Sequence, residues 1–271
     1  MKASLGYTLP SDRLRQKATV SIVVSLGLVF ACIYMGFDPS MIFTEFHFVA
    51  DLASNMMPPD FSLFWMDKTI VMAIVESLSM AFLGTVVGGL LALGLAVLAA
   101  RDTMPFRGVR LVARFVMQIV RVIPYLVVIL VFVATVGVGA FAGMLTLVFM
   151  TAGNFGQLFM ETIEASEKAP AEAIYSVGAS RGQVIRYALF PQILPGLIAN
   201  LFYAFDVNLR TGIALGIFGG GGVGFQLYMA MRVLHYRDAF ALICLTVLLI
   251  VLMERVCDLL RKRLLGKGIL K

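Results

Sequence analysis

Long apolar runs recur along this chain and decide what it can fold into. Each is long enough for a helix to cross a bilayer, which takes about 20 apolar residues. The runs are too long for barrel strands and lack their alternation. Only 14% of residues are charged, too few to cover a soluble domain of this size. We therefore predict an all-α, multi-pass membrane protein with about six transmembrane helices, at 18–37, 70–99, 112–136, 139–160, 195–217 and 239–259.

The basic residues predict the orientation of these spans. Seventeen of the 22 lysines and arginines fall on one side of the predicted topology, and three fall on the other. Because basic loops stay in the cytoplasm, both termini are expected there. The predicted organisation is a cytoplasmic lead at 1–17, a first helix with an outer interfacial segment at 18–69, a membrane core at 70–262 with an inner loop at 161–194, and a cytoplasmic tail at 263–271.

The outer segment 38–68 is acidic and rich in aromatic residues, a composition that suits a membrane interface. One interpretation is a short amphipathic helix that starts near Ser40 and lies flat on the membrane. The alternative is a plain connecting loop with interfacial anchors.

Small residues recur every fourth position in the second run, at Gly84, Gly88, Ala92, Ala96 and Ala100. Such a stripe lets another helix approach closely. The sequence leaves open whether that helix belongs to the same subunit or to a second one.

Charged and amide side chains interrupt the fifth run. Asp206 and Arg210 are four residues apart, so a helix places them on one face, whereas Asn208 points about 160° away from Arg210. One interpretation is an ion pair that neutralises itself inside the bundle. The other is a polar path, favoured by a second cation, Arg121, that has no acidic residue near it in sequence. Two arginines without balancing acids suit an oxyanion cargo.

A glycine run, Gly219 to Gly222, follows the fifth span near its outer end. Glycine disfavours a helix and permits positive φ, so we predict a non-helical turn. The turn could offer bare amides to an oxyanion, or it could close a hairpin or pack against a partner.

The inner loop carries Glu172, Ala173, Gly178 and Pro191, with the glycine six and the proline nineteen residues after the glutamate. This spacing resembles the loop of ABC importer permeases, the membrane-spanning subunits of ATP-driven importers. The resemblance implies a type I importer fold, in which Glu172 to Gly178 form a coupling helix that docks into a cytoplasmic ATPase subunit. The predicted structure is a short helix with Pro170 in its first turn, ended by Gly178, and a second helix capped by Ser180. Pro191 and a later proline, Pro195, are expected to mark the entry to the fifth span.

The stretch from Asp206 to Gly224 resembles the permease subunit of phosphonate and phosphite importers, in its acid-x-Asn-x-Arg pattern and its glycine run. The resemblance implies transport of phosphonate or a related phosphorus oxyanion across a bacterial inner membrane. The implied partners are a second copy of the chain, two ATP-binding subunits, a periplasmic binding protein and the lipid bilayer, with no nucleic acid. ATP and Mg²⁺ would be bound by the ATPase subunits, and no cofactor or metal is expected in this chain.

Other functions remain open at this stage. The architecture would serve an importer of another small solute, such as methionine or betaine, or a passive channel. An intramembrane enzyme is disfavoured, since no catalytic set of side chains emerges in the spans. No phosphate-binding loop of the Gly-x-x-x-x-Gly-Lys-Ser/Thr type occurs in the sequence. The three cysteines show no spacing that predicts a disulfide framework.

Overall fold

The computed structural model describes residues 10–36 and 44–266, and every regular element within those ranges is helical. The chain divides into two compact units, Met1–Asn55 and Met56–Lys271. The first unit contains α1 (Pro10–Tyr34) and nearly all of α2 (Phe46–Met56). The second unit contains α3 (Leu63–Met66), α4 (Lys68–Ala99), α5 (Arg107–Val122), α6 (Tyr125–Val136), α7 (Ala140–Glu164), α8 (Ala169–Ser176), α9 (Arg181–Val184), α10 (Phe190–Leu215), α11 (Gly222–Arg232) and α12 (Tyr236–Leu265).

Five helical stretches among the described residues are long and apolar enough to cross a membrane, and the count rises to six if α5 and α6 together form one span. The prediction of an all-α protein with about six spans is confirmed. The short helix expected to start near Ser40 falls outside the described residues at that point. The described part of the outer segment contains α2, which starts at Phe46, and the single turn α3.

Asp67 sets the start of α4. Its carboxylate accepts a hydrogen bond of 2.8 Å from the backbone N–H of Thr69, which otherwise has no partner in the first turn of a helix. Hydrogen bonds from the side chain and the backbone of Thr69 also lower the pKa of Asp67. The long second span therefore begins at a defined residue just outside the apolar run.

The segment predicted as the third span, 112–136, is broken at Pro124 into two helices. Here α5 and α6 meet at an angle of 89°. Ile123 is extended, with φ −76° and ψ 124°, as a residue before proline usually is. Proline also has no N–H with which to continue the helical hydrogen bonds. As a result Arg121 lies at the end of a helix, beside the break, and not in the middle of a straight span.

The stripe of small residues on α4 is the contact with α7 in the same chain. A Cβ added to Gly84 would lie 2.6 Å from the Cβ of Leu147, and one added to Gly88 would lie 2.7 Å from the Cβ of Thr151. These separations are shorter than any ordinary contact, so only glycine allows the two helices to approach this closely. The question that the sequence left open is thus answered for these two positions.

The helix of the fifth span starts earlier than predicted. It runs from Arg181 through Pro191 and Pro195 to Gly220, so the two prolines do not mark the start of the helix. Pro191 has no N–H to donate, and the turn just before it, Ile185–Leu189, widens to a π-helix. Helix α10 therefore continues directly from the short helix α9, which links the inner loop to the membrane core.

Candidate functional site

Arg210 and Asp206 form an ion pair on one face of α10, as their spacing predicts. Their side chains are 3.0 Å apart. A third residue, Glu254 of α12, lies 3.4 Å from the same guanidinium. The ion-pair interpretation is thus present in the structure, with Glu254 as a second acid that the sequence does not predict, so two carboxylates face one cation. Half of the Arg210 side chain is nonetheless exposed in the single chain, and a charge within a membrane span cannot favourably face lipid.

Asn208 lies on the opposite side of α10 and is fully buried. Its side-chain amide donates hydrogen bonds of 2.9 Å to Thr85 of α4 and to Thr151 of α7. The sequence correctly predicts that Asn208 points away from Arg210. In this structure its side chain forms a contact among the three helices α4, α7 and α10.

Arg121 lines an open groove of about 270 Å³ between α5, α6, α7 and α10. Among the described residues it has no hydrogen-bond or ion-pair partner. Polar side chains share the groove with it, and most of them were not predicted from the sequence. They are Tyr125, Asn154, Gln157, Glu161 and Tyr203.

Contacts within the groove hold several of these groups in place. The Asn154 amide donates a hydrogen bond of 3.0 Å to the Tyr125 hydroxyl. Gln157 donates one of 2.8 Å to Glu161, which leaves the carboxylate partly satisfied by a neutral partner. Arg121 is the cation among the described residues that line this groove. The one signal for the groove in the sequence is the helical spacing of Asn154, Gln157 and Glu161 on α7.

The glycine run turns the chain between α10 and α11. Gly219, Gly221 and Gly222 have positive φ, which favours glycine. The Gly222 and Val223 amides donate to the side chains of Glu76 and Ser77 on α4, at 3.0 and 2.9 Å.

All four glycines from Gly219 to Gly222 are buried. The expected turn is present, although Gly216–Gly220 is wound as a π-helical turn with a kink at Gly219. The amide of Gly222 is already occupied by Glu76, which rules out the bare-amide interpretation at that position. The turn closes a hairpin instead.

The inner loop forms the exposed helix α8, followed by α9. Pro170 lies in the first turn of α8, and Gly178 follows its end with φ +83°. Ser180 caps α9, where the Gln183 side chain accepts a 2.8 Å hydrogen bond from the Ser180 N–H. Glu172 and Ala173 are both exposed. The predicted helix, glycine turn and second helix are thus confirmed as local structure.

These features define a class of protein. The chain is a helical membrane protein with a polar groove beside a broken span, a buried glycine hairpin, and an exposed helix on a loop between two spans. Together with the loop motif, they are typical of the permease subunits of importers that are driven by a separate ATPase.

The comparisons with known proteins give the family. The model of the binding-protein-dependent transport system inner membrane component family matches residues 88–266. The chain is 33% identical over 249 residues to the phosphite transport system permease protein PtxC of Stutzerimonas stutzeri, covering 92% of this chain and 89% of the relative. It is 36% identical over 217 residues to the phosphate-import permease protein PhnE of Mycolicibacterium smegmatis, covering 80% of this chain and 40% of that protein. The chain belongs to this family of ABC importer permeases.

Solved structures with the same fold include an amino acid ABC transporter, with a TM-score of 0.64 and 20% identity over 76% of this chain and all of that one. The MetNI methionine ABC transporter in an inward-facing conformation has a TM-score of 0.63 and 21% identity over 75% of this chain and 98% of that one. At this identity the likeness shows the fold, and the type I importer prediction is confirmed. Permeases of this family are transport components and their ATPase is a separate subunit.

Proposed function

We propose that this chain forms the translocation path of an importer for a phosphorus oxyanion such as phosphite, a phosphonate or phosphate. The observation that carries the proposal is the groove of Arg121, which presents an unpaired guanidinium to a polar cleft within the membrane core. The relatives from S. stutzeri and M. smegmatis, which are named for phosphite and phosphate transport, support the same class of cargo.

The chemistry of the groove fits a small oxyanion. A guanidinium offers several N–H donors in a fixed plane, which suits two oxygens of one tetrahedral anion. The Tyr125 hydroxyl and the Asn154 and Gln157 amides add neutral donors along the same cleft. Neutral donors bind an anion without trapping it, which a transport path requires.

The neighbouring ion cluster extends the proposed path. Tyr203 borders both the groove of Arg121 and a second cavity of about 140 Å³ that Asp206 and Glu254 line. Arg210 closes that cluster with its half-exposed guanidinium. In this proposal Arg121 contacts the cargo, and Asp206 and Arg210 line the adjoining part of the path. Asn208 holds α10 in the rotation at which Asp206 and Arg210 face that path.

The proposed assembly is consistent with these features. A second copy of the chain would cover the exposed charges of α10 and exclude lipid from them. Helix α8, with Glu172 and Ala173 outward, would dock into each of two cytoplasmic ATPase subunits in a bacterial inner membrane. Both termini would then be cytoplasmic, and a periplasmic binding protein would deliver the cargo to the opposite side, near the glycine hairpin. ATP-driven closure of the ATPases would alternate access to the path.

The test is solute-stimulated ATP hydrolysis by the complex in proteoliposomes. Phosphite, methylphosphonate, phosphate, methionine and betaine are each supplied on a matching binding protein. We expect stimulation and uptake with one or more phosphorus oxyanions, and a loss of at least about tenfold in uptake for Arg121→Gln, since a charged hydrogen bond contributes about 1.5–3 kcal/mol. Arg107→Gln, which removes an exposed arginine of the same helix, is the matched control.

Two results would contradict the proposal. Stimulation by methionine or betaine alone would mean that the groove binds a zwitterion, whose two charges face Arg121 and Glu161. Normal uptake after deletion of 172–178 would show that α8 does not transmit the energy of ATP, and would favour a passive channel.

A further inference from the structure

Glu164, the last residue of α7, holds the turn between α4 and α5. One oxygen of its carboxylate accepts a hydrogen bond of 2.9 Å from the backbone N–H of Arg101 and one of 2.6 Å from the guanidinium of Arg114. A carboxylate at the C-terminal end of a helix faces the negative end of the helix dipole and is unfavourable there without a cation. Arg114 supplies that cation, and its Nε also donates to the carbonyl of Ala99 at 3.0 Å.

The segment that follows α8 contacts the same turn between α4 and α5. Arg181, the first residue of α9, donates hydrogen bonds of 3.5 and 3.3 Å to the carbonyls of Arg101 and Asp102. Glu164 lies five residues before α8 begins, and Arg181 lies five residues after it ends. The segments that flank the exposed helix on both sides are therefore hydrogen-bonded to one short segment of backbone, 101–102.

That segment leads into α5, and α5 ends at the groove. The helix starts at Arg107 and carries Arg121 in its last turn, about 21 Å away at about 1.5 Å per residue. A helix of this length moves as one rigid body when its first turn is displaced. A displacement of this segment would therefore reach Arg121 through α5, although Arg181 also begins the helix that continues into α10.

We propose that Glu164 and Arg181 are positioning residues that join the coupling helix α8 to α5, so that docking motion in the ATPase moves Arg121 and opens its groove. This inference rests on the proposed docking of α8. It adds a route and two residues that lie outside the loop motif of Glu172, Ala173, Gly178 and Pro191.

The test measures ATP hydrolysed per phosphite taken up, in proteoliposomes that contain the whole complex and phosphite-loaded binding protein. If the contacts that join α8 to α5 are lost, ATP hydrolysis should continue while phosphite uptake falls. We expect Glu164→Leu to raise the ratio at least about fivefold, the lower range of coupling between distant sites. Glu164→Gln, which keeps an acceptor oxygen, should give an intermediate ratio, and Arg181→Leu should reproduce the effect from the other flank. Arg107→Gln is the control and should leave the ratio unchanged.

The outcomes separate the join from the docking of α8. A wild-type ratio in both leucine variants, together with loss of uptake in Glu172→Lys, would overturn the join and leave the docking intact. Normal uptake and hydrolysis in Glu172→Lys would overturn the docking itself. A proportional fall of uptake and hydrolysis in Glu164→Leu and Arg181→Leu would mean a merely structural role, and would also overturn the join.

A second measurement needs no cargo. Spin labels at positions 107 and 176, at the start of α5 and the end of α8, are placed in a variant whose three cysteines are serine. In the parent, ATP binding should leave the mean distance between the labels unchanged and the distance distribution narrow, because the two elements move together. The distribution should broaden in Glu164→Leu. A large ATP-driven change in the parent would overturn the proposal.

Discussion

The buried amide of Asn208 gives the sharpest quantitative prediction. Its contacts with Thr85 and Thr151 join three helices at one crossing, and all three side chains are at most 3% exposed. Interhelical hydrogen bonds in membranes contribute about 0.6 kcal/mol each on average, up to about 1.7 kcal/mol. With two such bonds lost, Asn208→Ala should lower the free energy of unfolding by about 1–2 kcal/mol.

A second variant tests whether the loss comes from unsatisfied polar groups. Replacing both partners of a hydrogen bond by apolar groups of similar shape is nearly neutral, whereas removing one partner leaves the other unpaired. Asn208→Leu combined with Thr85→Val and Thr151→Val should therefore recover most of the stability that Asn208→Ala loses.

The assay is reversible unfolding of the purified chain in mixed micelles, followed by helical circular dichroism. Asn200→Ala is the matched control. It removes the same residue type from the same helix, but this asparagine donates a single 3.0 Å hydrogen bond to a partly buried threonine, Thr162. A loss for Asn208→Ala no larger than that of Asn200→Ala, or no recovery in the triple variant, would refute the reasoning.

Three further perturbations follow from contacts between helices. Gly88→Ala should destabilise the chain by about 1–3 kcal/mol, because the new methyl group meets Thr151 of α7; Gly94→Ala, with nothing within 4 Å, should be neutral or slightly stabilising in the same unfolding assay. Arg210→Ala should reduce the yield of folded protein on size-exclusion chromatography, since two carboxylates then lose their cation, and the added change Asp206→Ala should restore yield but not uptake. Glu76→Ala should speed hydrogen exchange of the amides at 222–224, because it removes an acceptor at the start of α11, and unchanged exchange would contradict the capping role.

Much of the fold can be predicted from the sequence because its strongest signals are local. The lengths of the apolar runs give the spans, Gly178 and Ser180 give the inner loop, and the four-residue spacing of small residues gives the α4 contact. Even the break at Pro124 has a local cause, although the continuous apolar run hides it. Long helices that tolerate Pro191 and Pro195 are harder to predict, because their lost hydrogen bonds are compensated by a widened turn.

The site is less predictable because its partners come from distant parts of the chain. Glu254 is 44 residues from Arg210, and Thr85 is 123 residues from Asn208. Polarity and spacing place each of these residues on a helix face, but they do not give the rotation that brings two faces together. The helix faces of α10 were thus predicted, whereas the pairing of Arg210 with a second acid was not.

The two membrane arginines differ in a way that assigns them different roles. Arg210 already has two carboxylates within 3.4 Å, so an incoming anion would have to displace them or add to a cluster of net charge −1. Arg121 has no carboxylate within ion-pair distance among the described residues; Glu161 lines the same groove but accepts a hydrogen bond from Gln157, and neutral donors stand beside Arg121. The two carboxylates at Arg210 repel an incoming anion. The cargo should therefore bind and dissociate at Arg121, while Arg210 holds α10 to α12. Arg121→Lys, which keeps the charge but loses the planar donors, should therefore weaken the apparent affinity for phosphite more than Arg210→Lys does, and the reverse order in uptake assays would assign the cargo to Arg210.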